Sequence, residues 1–162
     1  VFMGQYGLSQ QQFSYAFALN AAGIMLMSSL NKHLNTRMDI FPRLRLGGTI
    51  QCFGALIVVS AGLMNHAPLW LLMSGLFLVV SGIGLTGPNA MALAMSKQGA
   101  RAGTASAIMG SMQFACGLLG GVILNFLIWK ASLNMGLMML MFTSAGLFAI
   151  FKVGKQQDSI FS

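Results

Sequence analysis

Few side chains in this sequence could do acid–base, nucleophilic or metal chemistry, and their positions keep them apart. The 162 residues hold two acids, Asp39 and Asp158, two histidines, His33 and His66, and two cysteines, Cys52 and Cys116. A hydrolase dyad, a metal cage or a proton relay needs titratable groups clustered within reach of one another. Here the acids and histidines fall in polar segments, and each cysteine lies alone in an apolar run, without disulfide or metal spacing. The expectations are no catalytic residues, no bound metal, no cofactor and no enzyme activity. What remains is recognition by uncharged groups. Asn20 shares a helical face with Phe13, Phe17 and Ile24, and Gln113 lies beside Met109 and Phe114. An amide in hydrocarbon costs several kcal/mol if unpaired, so each must face another helix or a wet cavity. Methionines and aromatics beside it make an adaptable apolar surface. An interhelical hydrogen bond would satisfy the same amides, and both readings stand at this point.

The elements that position these residues follow from composition. Hydrophobic residues are 56% of the chain, charged residues 7%, and mean hydropathy is +0.77. A soluble domain carries about a quarter charged residues, so this chain is read as an all-α polytopic membrane protein. Nine basic residues against two acids do not make a nucleic-acid face, because the charges are dispersed between apolar runs. Charge-free intervals place helices near 13–34, 47–64, 69–95, 102–129 and 131–152, with "VFM" at the start as the stump of a sixth. Each is about the 20 residues that a crossing needs. The turn signal "NHAP" at Asn65–Pro68 divides the long central interval. A basic loop is expected over 31–46 and a tail over 153–162. Eight of the nine basic residues lie on one side of this arrangement, and only Lys130 lies on the other. Lys and Arg concentrate on the cytoplasmic side, which puts the C-terminus in the cytoplasm. No basic n-region of a signal peptide precedes the first apolar run. The chain is expected to start partway through a longer protein, unless Val1 marks an experimental boundary or a processed end.

Within the spans, small residues recur at every fourth position. Gly103, Ala107, Ser111 and Ala115 form one stripe, Gly82, Thr86, Ala90 and Ala94 another, and Gly117 and Gly121 a GxxxG pair. Such stripes let backbones approach closely in lipid. The run "GIGLTGPNAMALAM" concentrates the breakers Gly84, Gly87, Pro88 and Asn89. Pro88 has no N–H for the Gly84 carbonyl, so the helix is expected to kink there. Asn89 or Thr86 is expected to satisfy the freed backbone.

"GLTGPNAMALAM", a short basic loop and "AGTASAIMGSMQFACG" closely resemble helices ten and eleven of the bicyclomycin/chloramphenicol-resistance (Bcr/CflA) branch of the major facilitator superfamily. "NKHLNTRMDIFPRLRLGG" resembles a degenerate second copy of the superfamily's cytoplasmic loop motif, and "YGLSQQQFSYAFA" the entry into helix eight. The resemblance covers nearly the whole chain in order and implies the C-terminal six-helix bundle of a twelve-helix fold. It implies a bacterial inner-membrane multidrug exporter that works by proton-coupled alternating access, its partners being drug-like small molecules, the bilayer, and protons through the N-terminal half. In that setting Phe13, Phe17, Asn20, Met109 and Gln113 are expected to line a drug cavity. Gly84, Gly87, Pro88 and Asn89 are expected to form a hinge, and Arg37 with Asp39 a cytoplasmic latch. The alternatives are a sugar or metabolite exporter of the same fold, a non-transporting membrane scaffold, and a truncated gene product.

Overall fold

The computed structural model describes residues 6–96, 98–127 and 129–161, with all their side chains except those of residues 100, 125 and 157–161. The stump at Val1–Met3, Lys97 and the Asp158 side chain lie outside the described residues. Five long helices follow in order: α1 (Gln10–Leu34), α2 (Ile40–Leu63), α3 (Leu69–Met95), α4 (Ala102–Phe126) and α5 (Ala131–Phe161). A 3-10 turn, Gly99–Arg101, leads into α4. All five are long and apolar enough to cross a membrane, and the chain is an all-helical multi-pass membrane protein.

Helix starts follow from local chemistry. Ser9 opens α1 with a reciprocal capping box. Its Oγ accepts the Gln12 N–H at 3.2 Å, and Gln12 Oε1 accepts the Ser9 N–H at 3.0 Å. Two of the orphan donors of the first turn are thereby satisfied. Asp39 stands in extended conformation before α2, and Pro42 falls in the first turn, where its missing N–H breaks no helical bond. As a result α2 begins at Ile40, and the basic loop expected over 31–46 shrinks to the turn between Leu34 and Ile40. Charge-free intervals find the hydrocarbon-depth part of a helix. They miss the charged first turns of the helix, which hold Arg43 and Arg45. For the same reason α5 continues past 152, through Lys152 and Lys155, so the expected tail is helical to Phe161. At the other end α4 stops at Phe126 instead of Trp129.

α2 is the central element, packed against α3 on one side and α5 on the other, while α1 packs on α3. Buried Val58, Ala61, Leu72 and Leu76 form the α2–α3 core, flanked by Tyr6, Met135 and Met139. The backbones approach closely. A Cβ at Gly54 would lie 2.7 Å from the Gly75 carbonyl oxygen, and one at Gly136 would lie 2.8 Å from the Val59 nitrogen. This is how membrane helices gain contact area without a hydrophobic drive between them.

The two small-residue stripes divide in outcome. Gly82 and Thr86 on α3 seat against Gly47 and Gln51 of α2, as close packing requires, whereas Ala90 is exposed and lines grooves. On α4, a Cβ at Gly103, Gly117 or Gly121 would meet nothing within 4 Å. The α4 stripe therefore packs against no described part of this chain, and the helix touches α3 and α5 only lightly. Exposed Phe114, Leu118 and Phe126 leave it apolar on its outer face, as suits a helix bordered by lipid or by other apolar helices.

Candidate functional site

α3 is the helix around which the candidate residues are arranged. On one of its flanks, α4 leaves a groove of about 520 Å³ lined by Thr86, Gly87, Met91, Met109, Met112 and Gln113 among others. A second groove of about 460 Å³ separates α4 from α5, with Met135, Met138 and Met139 facing Gly117, Gly120 and Cys116. Methionine thioethers fill both seams because unbranched side chains adapt to an interface that does not interlock. Volumes of this size suit a small organic molecule, and Gln113 places one polar amide in the first groove.

Met109 and Gln113 thus come together against α3. The expected α1 residues do not join them: α1 packs on α3 but forms no packed pair with α4. Phe17 is 69% exposed and Phe13 also reaches the surface. Asn20 is half-buried, and its Oδ1 atom is enclosed without a hydrogen-bond partner. An unpaired carbonyl-type oxygen at membrane depth is costly. α1 meets α3 where Gly23 faces Phe77 and Ser81, and where a Cβ at Gly84 would lie 2.6 Å from the Ile24 carbonyl oxygen. Gly84 is therefore a point of close approach between α1 and α3, whatever its effect on helix flexibility.

Pro88 lies inside an uninterrupted α3. Gly87 and Pro88 are exposed, while Asn89 is 3% exposed. The Asn89 Nδ2 donates to the Leu85 carbonyl at 2.7 Å, and Thr86 Oγ1 donates to the Gly82 carbonyl at 3.2 Å. Neither reaches the Gly84 carbonyl that Pro88 deprives of its donor, contrary to the expectation. Each bonds instead to the residue four positions before it, the natural reach of such side chains on a helix.

The Asn89 amide has a second partner that spacing did not disclose. It donates to Asn31 Oδ1 at 2.8 Å, and the same oxygen accepts from Arg43 Nη1 at 3.1 Å. One carbonyl oxygen on α1 therefore holds α2 and α3 together, with all three side chains buried. Arg43 Nε adds a bond to the Asp39 carbonyl at 3.3 Å. A buried guanidinium demands partners, and here two carbonyl oxygens supply them through charge-assisted bonds. The expected latch pair behaves differently: Arg37 and Asp39 are both exposed, and the Asp39 side chain makes no capping bond. A usable signal was present. Asp39 as a cap and Pro42 in a first turn would start the helix before Arg43, placing that charge against α1 and α3 instead of in a loop.

On the opposite side of α2, the Arg45 guanidinium lies over the Phe151 ring of α5, 5.0 Å from its centroid, within cation–π range. At the opposite end of the bundle Lys130 donates to Asn65 Oδ1 at 2.7 Å, tying the α4–α5 turn to the α2–α3 turn. Among the described residues no three metal-ligating side chains cluster.

No family model matches the chain, and no solved structure matches it. Curated relatives do. It is 30% identical over 121 residues, 75% of its length, to a bicyclomycin resistance protein homolog of Haemophilus influenzae. It is 32% identical over 123 residues, 76% of its length, to YdgK, an uncharacterized MFS-type transporter of Bacillus subtilis. The matched part spans about 30% of the length of each of these relatives. With five helices able to cross a membrane and relatives of these two kinds, the chain belongs to the major facilitator superfamily, in its bicyclomycin-resistance (Bcr/CflA) branch.

Proposed function

We propose that this chain is the C-terminal helical bundle of a multidrug efflux transporter of the bacterial inner membrane. It would export small, mostly apolar compounds by proton-coupled alternating access. The observation that supports this most directly is the methionine-lined groove between α3 and α4, with Met109 and Gln113 on its wall. It is apolar and adaptable, and it offers one amide to orient a ligand. Such a surface selects on size and hydrophobicity more than on detailed shape. Asn20, half-buried on α1, is a second recognition residue on this reading. Light packing of α4 and the uncovered apolar faces of α1 and α4 suit a bundle that works against a second one.

Coupling to protons needs a carboxylate at membrane depth. Of the chain's two acids, Asp39 is exposed at the start of α2 and Asp158 stands near the C-terminus. On this reading the titrating group is supplied by the N-terminal half. The whole reading is tested by expressing the full-length gene in a drug-sensitised bacterium and measuring accumulation of several hydrophobic antibiotics across a pH gradient. Export that stops when the gradient is collapsed is the expected result. Accumulation indifferent to the gradient rules out antiport, and accumulation equal to the empty vector for every compound rules out drug export.

A further inference from the structure

A third groove, of about 530 Å³, runs between α2, α3 and α5 at the end of the bundle where the basic residues gather. Its walls are apolar: Phe41, Leu44, Leu93, Leu147, Ile150 and Val153 are typical of them. Arg45 is not on its lining but lies beside it. On α2, Phe41, Leu44, Arg45 and Gly48 follow the three-and-four spacing of one helical face. On α5 a Cβ at Gly154 would lie 2.7 Å from Arg45 Nη2 and 3.2 Å from the Phe41 ring, so guanidinium and groove wall are adjacent. The Arg45 Nε is enclosed without a hydrogen-bond partner, and Lys152 and Lys155 of α5 are exposed close by in sequence.

The geometry points to a binding site for one phospholipid with an anionic headgroup, its phosphodiester on Arg45 and an acyl chain along the groove. Three features specify that occupant. The groove belongs to a membrane-embedded chain, so acyl chains are what it meets. Beside it stands an arginine whose planar fork matches a phosphate. The formal net charge of the chain is +7, which favours an anionic headgroup over a zwitterionic one. Basic pockets between membrane helices at the positively charged interface are recognised sites for such headgroups, and arginine reaches them by lying along apolar surface, as Arg45 does over Phe151. The groove meets the α3–α4 groove at Thr86 and Ala90, and the proposed headgroup site at Arg45 lies away from that junction.

The test uses the full-length protein in nanodiscs of phosphatidylglycerol and phosphatidylcholine in equal parts, released into the gas phase for native mass spectrometry. Retention of phosphatidylglycerol over phosphatidylcholine is expected. Arg45→Gln should lower the retained phosphatidylglycerol about fivefold, the effect of losing about 1 kcal/mol for one cation at an anionic surface, and Arg45→Lys should restore part of it. Ile150→Trp, which fills the groove without touching the charge, should lower retention of both lipids. Equal retention of the two lipids by the unaltered protein overturns the proposal. So does undiminished phosphatidylglycerol in Arg45→Gln, or displacement of the lipid by inorganic phosphate, which would assign the cation to a free anion. If Arg45→Gln does not survive extraction, the unaltered protein and Ile150→Trp still decide the matter.

Discussion

Asn31 is the residue on which the basic end of the bundle depends. Its single side-chain oxygen accepts from Arg43 and from Asn89, so its removal strands two buried donors at once. Asn31→Ala should cost about 2–3 kcal/mol, within the range for losing a partner of a buried charged group, and should be visible as earlier thermal unfolding in detergent. Asn31→Asp keeps the acceptor and adds a compensating charge, so it should be clearly more stable than the alanine variant. Equal melting of the two would show that the oxygen does not hold the charge. The recognition residues predict a different phenotype. Alanine at Gln113 or Asn20 in the full-length protein should alter the pattern of drug resistance without loss of expression. An unchanged pattern across all tested drugs would remove them from the binding surface.

At the scale of the helix, α3 serves several neighbours, and its small residues decide how close they come. Gly84 lets α1 approach to within a Cβ's width of the Ile24 carbonyl, so Gly84→Leu should separate α1 from α3. Overpacking of this kind costs about 1–3 kcal/mol, and reduced yield of folded protein on size-exclusion chromatography would report it. Pro88 is exposed on the same helix, four residues on, and contributes no N–H to the Gly84 carbonyl. Pro88→Ala restores that bond, stiffens α3 and should slow export at unchanged expression. Export at the normal rate would make the proline purely architectural. α1 and α3 themselves were readable from apolar length and turn signals. The start of α2 was not, because a charged first turn looks like a loop when spans are located by the absence of charge.

Taken as a whole, the bundle gathers Lys32, Arg37, Arg43, Arg45, Lys152 and Lys155 at one end. The Asn65–Lys130 bond closes the other. The bias of basic residues toward the cytoplasm predicts that a single cysteine placed at Asn35 in a cysteine-free background is shielded from an impermeant maleimide in intact cells. One placed at Asn65 should be labelled. The reverse pattern would invert the topology. Sequence alone determined the five spans of the described residues, the all-helical class and the family, because burial in hydrocarbon writes itself into long uncharged runs. Tertiary structure alone decided which polar groups find one another. Asn31, Arg43 and Asn89 are separated by 12 and 58 positions along the chain from Asn31, and no local spacing links them. Tertiary structure also showed that Gly82 and Thr86 of the α3 stripe seat in a helix contact while the α4 stripe is open. The two stripes read alike in one dimension, and only the packing of neighbouring helices distinguishes a used close-approach surface from an unused one.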